Sequence, residues 1–220
     1  MDGRRVRALA CVVSFGLSLA VVRPAAAQLA GRSADEWIKT LESPQRVASL
    51  KVPETVAALK LKPGQIVADI GAGTGLFTMP MALAVKPGGE VYAVDIVPEL
   101  IEHILDKAGE TGIINVHGAV GTADDPNMPV NVDLALIADV LHHIEKRAEY
   151  LKTLAAYLNP GGRIAIVEFK PETSPHKDDP SLIVSEEQTN AWMAAAGLKP
   201  VEHVNLFADK WFVIYSNATP

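Results

Sequence analysis

The stretch VADIGAGTGLF, Val67 to Phe77, sets an apolar run ending in one acid, Asp69, directly against glycines at 71, 73 and 75. A short apolar run of this kind reads as a buried strand, and the glycines behind it allow a sharp turn that leaves room for a ligand against the main chain. Strands and helices then alternate. LFTMPMALAV reads as a helix, GEVYAVDI as a strand, PELIEHILDKAG as a helix, INVHGAV and VDLALIADV as strands, EKRAEYLKTLAAYL as a long amphipathic helix, and GRIAIVEF as a strand after the turn NPGG. Parallel crossovers need a dozen or more residues, so this order predicts an α/β, Rossmann-like doubly wound sheet, mostly parallel. Ligands in such sheets sit beyond the carboxyl ends of the strands, where strand order reverses, and the glycine loop belongs there. Ahead of the alternation, Ser33 is an N-cap candidate for a helix broken near Pro44, and PETVAALKL begins another. The tail predicts a helix at SEEQTNAWMAAAG and a closing antiparallel hairpin, LKPVEHVNLF and KWFVIYSN joined by ADK, at the sheet edge.

The 220 residues, 49% of them apolar, suffice for one substantial core. A net charge of −6 provides no basic footprint for nucleic acid. The first residues differ from the rest. MDGRRVR is basic, Ala8 to Val22 is apolar over less than a membrane-spanning length, and RPAAAQ offers small residues for cleavage after Ala27. The expectation is a signal peptide over residues 1–27 and one domain over 28–220, placing the chain in the periplasm or outside the cell, with membrane anchoring if the segment stays attached. Arg4-Arg5 also invites a twin-arginine route, although Arg7 puts a charge where that signal is apolar. The sole cysteine, Cys11, lies inside the signal, so a chain starting at Gln28 has no thiol for disulfides or catalysis.

A dinucleotide fingerprint needs a small residue where this loop has Leu76, and Asp69 suits a cationic ligand better than a pyrophosphate. Asp95, at the end of the second strand, is placed to accept from ribose hydroxyls, which nicotinamide and adenosyl cofactors share. In GTADDP, Asp124 or its neighbour can accept from an adenine amino group, or both acids can serve as turn formers. Glycine loop, ribose acid and adenine acid on successive strands are more specific together than any one alone.

VADIGAGTGLFT, VYAVDI, GTADDP, VDLALIADVLHHI and LNPGGRIAIVEF together resemble successive motifs of class I S-adenosylmethionine-dependent methyltransferases, over roughly residues 46–170. The resemblance implies a seven-stranded sheet, S-adenosyl-L-methionine as cofactor and a small-molecule acceptor. It implies a cofactor-binding set of Asp69, Gly71, Ala72, Gly73, Gly75, Asp95, Ile96, Thr122, Ala123, Asp124 and Asp139. Asp69 and the loop would take the methionine part, Asp95 the ribose and Asp124 the adenine. Many relatives carry G-D-A where this chain has Gly121-Thr122-Ala123, which puts the adenine ligand between Thr122 and Asp124.

Methyl transfer from a sulfonium is an in-line displacement in which the protein mostly positions the reactants. His142 and His143, after the fourth strand, are the candidate bases for a protonated acceptor, against a purely structural role for the pair. No metal is expected. Adjacent histidines lack the i, i+4 arrangement, and His103, His117, His176 and His203 stand apart in the sequence. Trp37 and Trp192 on helices and Trp211 on an edge strand read as packing residues. Acceptor specificity falls to the segment around Trp37 and Arg46 and to the loop from Lys170 to Pro180. Two other readings stay open: an exported nucleoside-binding protein without turnover, and a nicotinamide-dependent oxidoreductase.

Overall fold

The structure, a computed structural model, describes residues 33–217. The expected signal peptide, residues 1–27, lies outside them. Three short helices open the described chain: α1 (Ala34–Leu41), α2 (Pro44–Ser49) and α3 (Val52–Ala58). Ser33 caps α1 as expected: its hydroxyl accepts from the Glu36 N–H while the Glu36 carboxylate accepts from the Ser33 N–H. Pro44 stands in the first turn of α2, where its missing N–H costs nothing.

Then follow β1 (Ile66–Ile70), α4 (Thr78–Ala84), β2 (Glu90–Asp95), α5 (Pro98–Glu110), β3 (Val116–Val120), β4 (Val132–Ala138), a 3-10 turn (Leu141–His143), α6 (Arg147–Ala156) and β5 (Leu158–Phe169). Two more 3-10 turns, Pro171–Thr173 and Pro180–Leu182, lead into α7 (Glu186–Ala195), β6 (Lys199–His203) and β7 (Lys210–Ser216). The seven strands form one sheet in the order β3-β2-β1-β4-β5-β7-β6. β1 to β5 run parallel, and β7 pairs antiparallel with both β5 and β6. Strand order reverses at β1 and β4, so the loops after these two strands open onto one crevice.

Period-two alternation divides each inner strand between two cores. In β4, Leu134, Leu136 and Ala138 join Val67, Val91 and Phe77 on the face covered by α4 and α5, while Ala135 and Ile137 join Leu151, Leu154 and Met193 on the face covered by α6 and α7. Burial on both faces is why these strands read as continuous apolar runs. Among the described residues, no helix is long and apolar enough to cross a membrane.

Four sequence expectations need correction. The fifth strand does not start after NPGG: Leu158 already pairs with Val132, and the register shift before the Leu134–Arg163 pair holds NPGG within the strand as a bulge, with Gly161 at φ 75°. The helix expected over EKRAEYLKTLAAYL is shorter, because Lys146 leaves helical geometry (φ −98°, ψ 62°) and the Tyr157 carbonyl accepts from Val132 N–H at the sheet. The last two strands are joined by residues 204–209 rather than by ADK alone. Leu206 and Phe207 pack against the core there, and the Leu206 carbonyl accepts from Lys51 Nζ at 2.9 Å. Finally, β7 is inserted between β5 and β6, so Trp211 lies on an inner strand, 5% exposed, and β6 forms the edge.

Candidate functional site

The glycine loop leaves β1 in left-handed geometry at Gly71, Gly73 and Gly75 (φ 68°, 57° and 76°). A Cβ at Gly71 would lie 2.5 Å from the Val140 side chain, and one at Gly73 would lie 3.0 Å from Leu41 of α1. With no side chain of its own at these positions, the main chain turns beside an open cleft lined by Leu41, Arg46, Leu50, Asp69, Gly71, Ala72, Gly73, Thr74, Leu76, Phe77 and Ala138. Gly75 packs its α-carbon near Ile104 of α5 instead.

Asp69 is 3% exposed, and one carboxylate oxygen accepts from the Thr78 hydroxyl at 2.6 Å. Burial outweighs that bond and pushes its carboxyl up to about 6. A buried carboxylate held only by Thr78 at a cleft wall suits a cation. Asp95 fastens the loop: its oxygens accept from Gly73 N–H at 2.9 Å and Val97 N–H at 3.0 Å. Burial still raises its pKa against these two bonds. The Ile96 N–H contributes a third bond, and the carboxylate's remaining lone-pair capacity is open to a hydroxyl donor. The neighbouring Ile96 presents an exposed apolar side chain, 38% accessible.

The GTADDP loop closes on Thr122, whose hydroxyl accepts from Asp125 N–H at 3.0 Å and whose N–H donates to the Asp125 carbonyl at 2.8 Å. Thr122 and Ala123 are exposed, and so is Asp124, whose carboxylate pairs with Lys146 at 3.2 Å on the surface. Asp125 accepts from Tyr157 Oη. The loop therefore directs neither acid into the glycine-loop cleft. Asp139, by contrast, is brought close. It leaves β4 at φ 54°, its N–H donates to the Val167 carbonyl, and its buried carboxylate faces Lys210 Nζ at 3.1 Å and Arg46 at 3.7 Å. Burial raises its pKa while the two cations hold it down. Arg46 lines the cleft, so this ion group joins the cleft to the end of β4.

One turn further, His142 is 4% exposed. Its Nδ1 lies 2.9–3.0 Å from both oxygens of Glu168, at the end of β5, and its N–H donates to the same carboxylate. Glu168 is 1% exposed and also accepts from Phe169 N–H. The sequence placed His176 apart from the pair, but the loop after β5 brings it to them, with ring centroids 4.9 Å from His142 and 5.9 Å from His143. Burial, then the neighbouring rings, push His143 down to about 3, and burial lowers His176 as well. Sequence reading missed Glu168, Lys210 and the convergence of His176. Glu168 had a usable signal, since an acid at the carboxyl end of an inner parallel strand faces the ligand edge of the sheet.

A sequence profile described as a methyltransferase domain matches residues 61–209. The ubiquinone/menaquinone biosynthesis C-methyltransferase UbiE of Vibrio cholerae serotype O1 is 31% identical over 124 residues, covering 55% of this chain and 48% of that protein. The Vibrio vulnificus protein of the same name is 32% identical over the same length. The chain thus spans about half the length of these relatives. Among solved structures, an S-adenosylmethionine-dependent methyltransferase from Aquifex aeolicus superposes with TM-score 0.74 at 23% identity, covering 85% of this chain and all of that one. The magnesium protoporphyrin IX methyltransferase of Synechocystis, solved with S-adenosylmethionine, superposes with TM-score 0.69 at 18% identity over 91% of this chain. With the profile spanning more than half of the sequence, from before β1 to the hairpin, the chain belongs to the methyltransferase-domain family.

Proposed function

We propose that this chain methylates a small-molecule acceptor, and that the acceptor atom is a carbon activated by a neighbouring oxygen. The observation that carries the reading is the cleft itself, with the glycine loop and a buried acid at one wall and Arg46 leading from it to Asp139 and Lys210. The carbon acceptor is suggested by the name of the Vibrio relatives.

S-adenosylmethionine, when bound, supplies an electrophilic methyl group on a sulfonium. The chain's own residues would do the rest. Asp69 and the loop N–H groups would hold the charged methionine end, and Asp95 would hold the ribose hydroxyls. Leu41 and Leu50 would cover the site and exclude water. An oxygen-activated carbon becomes nucleophilic when the oxygen loses its proton, and the cluster of His142, His143 and His176 after β4 and β5 would handle that proton. The cavity wall beyond Arg46 and the loop Lys170 to Pro180 would select the acceptor.

Calorimetric titration with S-adenosylmethionine, S-adenosylhomocysteine and NAD tests the cofactor. Saturable binding of the first two and its loss in Asp95→Ala are expected, and preference for NAD would refute the reading. His142→Ala should slow formation of S-adenosylhomocysteine in an acceptor screen while leaving its binding in place. Binding with no turnover on any acceptor would favour a nucleoside-binding protein instead. We further propose that the chain is exported. Mass spectrometry of native protein should find Gln28 at the N-terminus, and an intact Met1 would reject export.

A further inference from the structure

We propose that His142, His143 and His176 form a binding site for a divalent transition metal of the zinc type, with one coordination position open toward the acceptor. One ring nitrogen from each lies within 4.8 Å of those of the other two. Three nitrogens around a tetrahedral zinc at about 2.0–2.1 Å stand roughly 3.3 Å apart, so modest side-chain rotation closes the set. The donor chemistry is selective: three imidazoles suit zinc, cobalt, nickel or copper, whereas magnesium and calcium want oxygen.

The surroundings fit a ligand role more closely than a packing role. Glu168 takes the Nδ1–H of His142, which leaves Nε2 as the nitrogen with a free lone pair. A carboxylate behind a histidine in this way fixes its tautomer and strengthens it as a metal ligand. Glu168 also supplies the negative charge that offsets a cation beside Arg46 and Arg147. Arg147 in turn clamps the site's two strands of chain. Its Nε donates to the Leu141 carbonyl at 3.1 Å, and its Nη2 donates to His142 O at 2.7 Å and Ser181 O at 2.6 Å. The histidine turn and the loop that brings His176 are thereby tied together. His143 and His176 are half-buried, so solvent or an acceptor can reach the metal from their side.

What the metal would do rests on the methyltransferase reading. An acceptor hydroxyl bound at the open position would lose its proton to water more readily, since the cation stabilises the oxyanion. The histidines would then act as ligands rather than as direct proton acceptors.

The test uses protein purified without a histidine tag and stripped with chelator. Cobalt(II) titration should develop the intense visible absorption of four-coordinate cobalt at one equivalent, displaced by zinc. His143→Gln and His176→Gln should each weaken cobalt binding about tenfold or more, and Glu168→Gln should weaken it about tenfold without changing the stoichiometry. His176 lies on a surface loop, so its variant keeps the fold, which retained S-adenosylhomocysteine binding verifies. No cobalt spectrum in the wild type, or a spectrum unchanged in His143→Gln and His176→Gln, would overturn the site. If cobalt binds but S-adenosylhomocysteine does not, the site stands and the methyltransferase reading falls; the reverse outcome removes the site alone.

Discussion

Asp69 shows how a single side chain can be unfavourable for the free fold and useful to a ligand. Its carboxyl, ordinarily near 3.8, is pushed up to about 6 by burial in the folded chain. The native state therefore holds this proton to higher pH than the unfolded chain does. The associated stability is complete below the unfolded value and is lost as pH rises through the folded one. The loss amounts to about 3 kcal/mol for a shift of this size. In Asp69→Asn, which can still accept from Thr78, that dependence disappears. Urea melts should show the wild type losing about 3 kcal/mol relative to the variant between about pH 4 and pH 7. A constant difference would mean that Asp69 is solvated in the free protein. A cationic cofactor reverses the balance by favouring the ionised carboxylate. Binding near pH 5 should then release a proton, visible as a calorimetric heat that depends on the buffer's own ionisation enthalpy.

At the scale of elements, much of the site could be read from the sequence where a strand end and its own loop supply both partners. The Asp69-to-Gly75 turn and the Asp95 strand end are local in that sense: each acid lies at the carboxyl end of its strand, and Asp95 accepts from the Gly73 N–H of the loop. The ion group Arg46–Asp139–Lys210 and the pair His142–Glu168 depend on which strands lie side by side. His142 and Glu168 are 26 residues apart and meet because β4 pairs with β5. Lys210 meets Asp139 because β7 inserts beside β5. Linear spacing carries no sign of either. The loop after β5 is a further case, since Arg147 on α6 holds the His142 carbonyl and the Ser181 carbonyl with one nitrogen. Arg147→Met should free residues 174–182, raising their amide exchange. It should cut turnover about tenfold or more, the scale of lost charge-assisted hydrogen bonds, while leaving S-adenosylhomocysteine affinity near wild type. Unchanged exchange in that segment would place the loop under other control.

For the molecule as a whole, the sequence predicted the doubly wound sheet because strands buried on both faces leave unbroken apolar runs between helices. It mistook the hairpin geometry because chain order was taken for sheet order, although the apolar run KWFVIYS against the polar KPVEH carried the signal for an inner strand. β7 and β6 have similar lengths, but only β7, buried along its whole length, can sit inside. This topology brings the cleft against the ends of β1 and β4 together with α1 and α2, which are also tied to the rest of the fold by packing, by the Arg46–Asp139 pair at 3.7 Å and by the Glu42–Lys107 contact to α5 at 3.0 Å. A ligand bound there ties the opening helices to the sheet and adds its binding energy to one folded unit. At a hundredfold excess over its dissociation constant it contributes about 2.7 kcal/mol, which for a chain of this size raises the melting temperature by roughly 5–10 °C. S-adenosylhomocysteine should produce that rise in differential scanning fluorimetry. NAD should not, because Leu76, packed against the core, occupies the place where a dinucleotide loop needs a small residue. Asp95→Ala should abolish the rise while keeping a cooperative melt, since its carboxylate binds only the loop and the start of α5. An equal rise with NAD would show that the loop accepts a pyrophosphate and would return the site to the dinucleotide reading.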